Sequence, residues 1–112
     1  MKETIEKILL EVPSNAEVYV FGSVLRELNP NDLDILVIYD SKAYPKANIY
    51  NACKRITEVL VKIFNLDVDL TVLSYSENNR VNFIEKVRAI ELKCFLQENY
   101  LKNNLSKNNI FK

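Results

Sequence analysis

No histidine occurs anywhere in this chain, and there is only one glycine. Without histidine, no Ser-His-Asp or Cys-His couple and no HExxH zinc site can be assembled, so a carboxylate is the expected general base. A single glycine is too few for a Walker phosphate loop or a GxGxxG dinucleotide fingerprint. The two cysteines, Cys53 and Cys94, lack zinc-ligand spacing and have no secretory signal ahead of them. They read as reduced, small core hydrophobes of a cytoplasmic protein. No apolar run approaches the length of a bilayer span, so membrane insertion is not expected. Fifteen basic and fifteen acidic residues cancel, which argues against a surface built to neutralise nucleic-acid phosphates.

What is present suits one domain: 112 residues, 48% of them hydrophobic, enough to close a single core. We place that domain at residues 1–98 and read 99–112, rich in Asn and Lys, as a flexible tail. Ile5, Ile8 and Leu9 at helical spacing predict a short amphipathic helix over 2–11, ended by Pro13-Ser14-Asn15. Glu17 to Phe21 predicts a buried strand that stops at Gly22-Ser23, and Ser23 to Leu28 has room for about two turns of helix before Asn29-Pro30-Asn31. Asp32 to Tyr39, polar only at its start, predicts a central strand covered on both faces. Ile49, Ala52, Cys53, Ile56, Val59, Leu60 and Ile63 mark a long helix between Lys46 and Phe64, closed by Asn65. Leu66 to Leu73 predicts a third strand. A last helix over about 77–98 should turn Val81, Ile84, Val87, Ile90, Leu92 and Phe95 toward the body.

The chemistry concentrates on acids and on the lone glycine. Asp32 and Asp34 are one residue apart, so on a strand both project from one face. Carboxylates that close raise each other's proton affinity, a situation a cation relieves. Magnesium suits the pair, since it is held by one or two carboxylates together with substrate phosphates. The plain alternative is a solvated acidic turn. Gly22 and Ser23 stand where an apolar strand gives way to a helix, the arrangement of a phosphate-binding turn, with Arg26 one helical turn further on. Against this, Ser23 also suits an ordinary N-cap and Arg26 a solvated face. On the third strand Asp67 and Asp69 alternate with Val68 and Leu70; Asp69, flanked by apolar residues, is preferred over Asp67 as a third site carboxylate.

Taken in order, Phe21-Gly22-Ser23-Val24-Leu25-Arg26, Asn31-Asp32-Leu33-Asp34-Ile35-Leu36-Val37 and Val68-Asp69-Leu70 resemble the minimal nucleotidyltransferases of the DNA polymerase beta superfamily. The resemblance runs from about Glu17 to Leu73. It implies an α/β domain, a small mixed sheet flanked by helices in the nucleotidyltransferase fold. ATP or another nucleoside triphosphate with two magnesium ions is implied too. By the same carry-over Gly22, Ser23 and Arg26 hold the phosphates, Asp32 and Asp34 bind both metals, and Asp69 completes the catalytic and metal set. Similar minimal proteins serve as antitoxins that transfer AMP to a HEPN-type toxin, so the resemblance implies a protein partner and adenylyl transfer to one of its hydroxyls. Nucleotidyl transfer to a small molecule is a weaker alternative, for which a homo-oligomer would supply the closed acceptor pocket. Three features depart from the family pattern: a shortened stretch from Ser23 to Asp32, Leu25 where a small residue is usual, and Glu27 in place of a glycine. They keep open a rival reading, a binding module that neutralises its partner by contact alone.

Overall fold

A four-stranded mixed sheet carries the chain in the computed structural model, which describes residues 2–43 and 46–98. The stretch 99–112 read as a tail lies outside the described residues. Helix α1 (Lys2–Leu10) leads into β1 (Ala16–Phe21), a short 3-10 turn (Gly22–Leu25) and β2 (Asp32–Tyr39). Then follow α2 (Lys46–Phe64), β3 (Asp67–Ser74), α3 (Tyr75–Val81), α4 (Phe83–Val87), β4 (Ile90–Glu91) and a helix over residues 92–98, α5. The strand order is β3-β2-β1-β4; β1 runs antiparallel to β2 and β4, while β2 and β3 are parallel. A parallel pair needs a long crossover, and α2 is that crossover.

The two faces of β2 explain the layering. Leu33, Ile35, Val37 and Tyr39 point to one side, where they join Val18 and Val20 of β1 and Ile8, Ile49, Cys53, Ile56, Leu60, Leu92, Phe95 and Leu96 in one buried cluster. That face is covered by α1, α2 and α5. On the other face Leu36 and Ile38 are also fully buried, and α3 packs there against β2 and β3. Asp34 shares this second face, two residues before Leu36. A continuous apolar run from Ile35 to Tyr39 is therefore what a strand sealed on both sides requires.

Three readings of the sequence are corrected. Between Gly22 and Leu28 the chain makes one 3-10 turn instead of two helical turns. Val24 and Leu25 pack against the core, but Leu28 is 99% exposed, so nothing apolar would seat a second turn; Pro30 then holds Asn29 away from helical backbone. The helix expected over 77–98 is broken into α3, α4, β4 and α5. Asn82 and Arg88 both adopt left-handed backbone, φ 56 and 54, which a continuous helix cannot contain, and Ile90 and Glu91 instead add an edge to β1 opposite Val20 and Tyr19. Val81 is consequently 43% exposed, while Leu92 and Phe95 are buried as expected. Finally, only Cys53 is a core residue. Burial pushes its thiol up to about 11, whereas Cys94 is exposed.

Candidate active site

The end of the sheet where β1 stops and β2 starts gathers the residues singled out from the sequence. Backbone pairing sets Phe21 opposite Asp34 across the antiparallel pair, and Asp69 opposite Asp34 across the parallel one. Neighbours in register point to the same face, so Asp34 and Asp69 lie side by side on adjacent strands, with Asp32 two residues before Asp34. Asp67 occupies the corresponding place beside Asp32. Asp34 is held above its ordinary value of 3.8 first by burial, then by the charge of Asp69 and then by that of Asp32. Asp67 is not among the causes. The electrostatic partners of Asp34 are thus Asp69 and Asp32, in that order.

Gly22 sits directly over this group. Its φ is +83, and a Cβ built there would fall on Asp34 Oδ2 and lie 3.0 Å from its Cγ. Two separate constraints, left-handed backbone and the space taken by the Asp34 carboxylate, therefore exclude every side chain at the one position where the sequence places its glycine. The turn that follows is built on Ser23, whose carbonyl accepts from the backbone N–H of Arg26 at 3.0 Å and of Glu27 at 2.8 Å. Ser23 is not an N-cap: Phe21 occupies that position, with no side-chain bond to the turn. A four-residue 3-10 turn carries little of the aligned dipole of a long helix. Anion attraction through a helix dipole, as read from the sequence, thus has no long helix behind it. What the turn offers is close backbone approach at Gly22 and the Ser23 hydroxyl. Arg26 is exposed and lines a cavity together with Gly22.

Around the carboxylates the donor set is oxygen throughout. Among the described residues, no group of three or more His, Cys, Asp or Glu side chains closes into a metal-holding cluster. Asp34 feels the charges of Asp69 and Asp32; were a magnesium ion to bind here, these are the carboxylates that would hold it, water and substrate phosphates supplying the remaining oxygens.

Behind the carboxylates, α3 and α4 are fixed by local chemistry. Ser74 opens α3 with a reciprocal capping box: its hydroxyl accepts from Glu77 N–H at 3.2 Å, and its own N–H donates to Glu77 Oε1 at 2.9 Å. At Asn82 the chain turns, Asn82 Nδ2 donating to Glu85 Oε2 at 2.9 Å. Phe83 then meets Phe21 edge to face, ring centroids 5.4 Å apart. This contact ties α4 to the residue just before Gly22 and carries Lys86 and Arg88 to the same cavity as Arg26. Neither basic residue stands out in the sequence. They lie in a segment whose apolar spacing suggests one uninterrupted helix, and no motif marks them.

A larger cavity, about 810 Å³, lies between the end of α1 and α2 and includes none of the carboxylates or the turn; Glu11 and Glu58 there mix with Lys54 and Arg55, so its field has no single sign. Among the described residues no helix is long and apolar enough to cross a membrane. Compared with known families, residues 2–103 match the model described as the nucleotidyltransferase domain. No curated protein and no solved structure matches the chain significantly.

Proposed function

Since the chain belongs to the nucleotidyltransferase domain family, we propose that it transfers an adenylyl group from ATP, with magnesium, to a hydroxyl of a partner protein. The general chemistry, nucleotidyl transfer, follows from the family. The placing of the reaction rests on one observation: Asp34 lies beside Asp69 and directly under Gly22, so that paired carboxylates and a close-approach turn converge on one end of the sheet; ATP, the adenylyl group and the protein acceptor are carried from the resemblance to minimal nucleotidyltransferases.

In this reading Gly22 and Ser23 receive the phosphates, the first by letting the backbone approach and the second through its hydroxyl. Asp32, Asp34 and Asp69 hold divalent cations, which when bound offset charge on the attacking and leaving oxygens. Asp69, an exposed residue of β3, takes the proton of the acceptor hydroxyl as general base, while the hydroxyl oxygen bonds to the α-phosphorus and pyrophosphate leaves. The acceptor itself comes from outside the chain. A HEPN-type toxin is the partner we propose, in a cytoplasmic toxin-antitoxin pair, and a second copy of the chain is the other candidate source of the acceptor surface.

The test is incubation with α-labelled ATP, magnesium and the product of the neighbouring gene, with GTP, CTP and UTP in parallel. Label should pass to that product with wild type and not with Asp32→Ala/Asp34→Ala. If both proteins label it equally, or neither does, the transfer reading is lost. Neutralisation of the partner by the double variant would instead identify a module acting by contact, the role to which the substituted Leu25 and Glu27 would then belong.

A further inference from the structure

We propose that Lys86 and Arg88, together with Arg26, form a clamp for the terminal phosphates of a nucleoside triphosphate and for the pyrophosphate it releases. Naming the ligand a nucleotide rests on the transfer reading above; the polyphosphate chemistry rests on the cavity. That cavity is about 390 Å³ and is lined by Phe21, Gly22, Arg26, Lys86, Val87 and Arg88. Three of the six residues are cationic and none is acidic. Its size falls in the range of small-ligand sites.

The cations reach it from separate parts of the chain. Arg26 follows the turn after β1, whereas Lys86 and Arg88 belong to α4 and its C-terminal cap. The chain is neutral overall, so a cavity with three positive side chains and no negative one is a local segregation of charge. Among the described residues none of the three forms an ion pair; the pair found there joins Arg55 to Glu11 on the exposed surface. All three are exposed and line one cavity, so a ligand with several negative charges would gain charge-assisted hydrogen bonds from them together. Arginine's planar fork suits phosphate oxygens in particular.

Position selects a polyphosphate over a single anion. Gly22 forms part of the cavity wall and also lies against the Asp34 carboxylate. A phosphate chain lying along the cavity would therefore have one end at the carboxylates and the other among the cations. Arg88 reaches the cavity from the end of α4, which it closes as the C-cap in left-handed backbone, φ 54, its N–H bonded to the carbonyls of Glu85 and Ile84.

Isothermal titration of the full chain with inorganic tripolyphosphate tests the clamp. Three proteins are compared: wild type, Lys86→Gln/Arg88→Asn, and Lys54→Gln/Lys62→Gln, which removes the same charge from exposed positions of α2. Asparagine is chosen at position 88 because it tolerates left-handed backbone, and circular dichroism verifies that each protein is folded. Wild type and the α2 variant should bind alike, and the clamp variant roughly tenfold or more weakly, the loss of charge-assisted bonds. Equal binding by all three, equal weakening of both variants, or no binding by wild type would overturn the proposal. The transfer reading fails separately. If label never passes to a partner but tripolyphosphate binding is lost only in the clamp variant, the clamp stands alone; if transfer proceeds with KM for the nucleotide unchanged in that variant, the clamp is wrong and transfer stands.

Discussion

At Asp34, burial, Asp69 and Asp32 all favour the protonated form. The folded-state value lies above the ordinary 3.8, so between the two the folded chain binds more protons than the unfolded one, and stability falls as pH rises through that window. Above it the penalty is fully present; below 3.8 it is gone. In the presence of a chelator, Asp34→Asn should therefore melt higher than wild type at neutral pH, with the gap closing as pH falls through that window toward 3.8. A lower melting temperature for the variant at neutral pH would mean that the crowded carboxylate is not a liability. Gly22→Ala should do the opposite, costing about 2 kcal/mol or more in chemical denaturation, because alanine meets both an unfavourable φ and the Asp34 carboxylate. Removing that carboxylate as well, in Gly22→Ala/Asp34→Ala, should recover part of the loss, since residues in contact are not additive; strictly additive costs would place the strain in the backbone alone. The paired acids were legible because period-two spacing fixes a common face on any strand. The contact between Gly22 and Asp34 was not, since it depends on β1 and β2 meeting in one particular register.

Among the elements, β2 and α2 announce themselves: an unbroken apolar run can be buried on both faces, and apolar residues at every third and fourth position from Ile49 to Ile63 make one stripe. The segment after β3 is harder. Val81, Ile84, Val87 and Phe95 satisfy helical spacing, yet the left-handed residues Asn82 and Arg88 interrupt it, and β4 forms only because β1 offers an open edge there. Spacing reports local periodicity and says nothing of a partner strand. One local signal was nevertheless readable, Ser74-Tyr75-Ser76-Glu77, the Ser-x-x-Glu pattern of a capping box. Ser74 is buried and caps α3 against the carboxylate face. Ser74→Ala is expected to cost about 1 kcal/mol, measured by urea denaturation. A change within experimental error would show that tertiary packing alone holds the start of α3.

Across the whole molecule, the sheet separates two tasks: one face is a single apolar cluster under α1, α2 and α5, and the other combines buried Leu36 and Ile38 with the carboxylate end. The order β3-β2-β1-β4 leaves β3 on the outside, eight residues long, with no strand beyond it among the described residues. Unpaired backbone groups on such an edge can template the addition of another chain, and charged residues are a common safeguard. Asp67 and Asp69 are the exposed acids of that strand. Substituting both by asparagine should therefore do more than alter the site: light scattering at raised protein concentration should increase while the isolated chain stays folded, and unchanged scattering would mean that another feature guards the edge. The acids that crowd one end of the sheet would then also keep copies of this protein from joining along its margin, which links colloidal behaviour to the same residues proposed to do the chemistry.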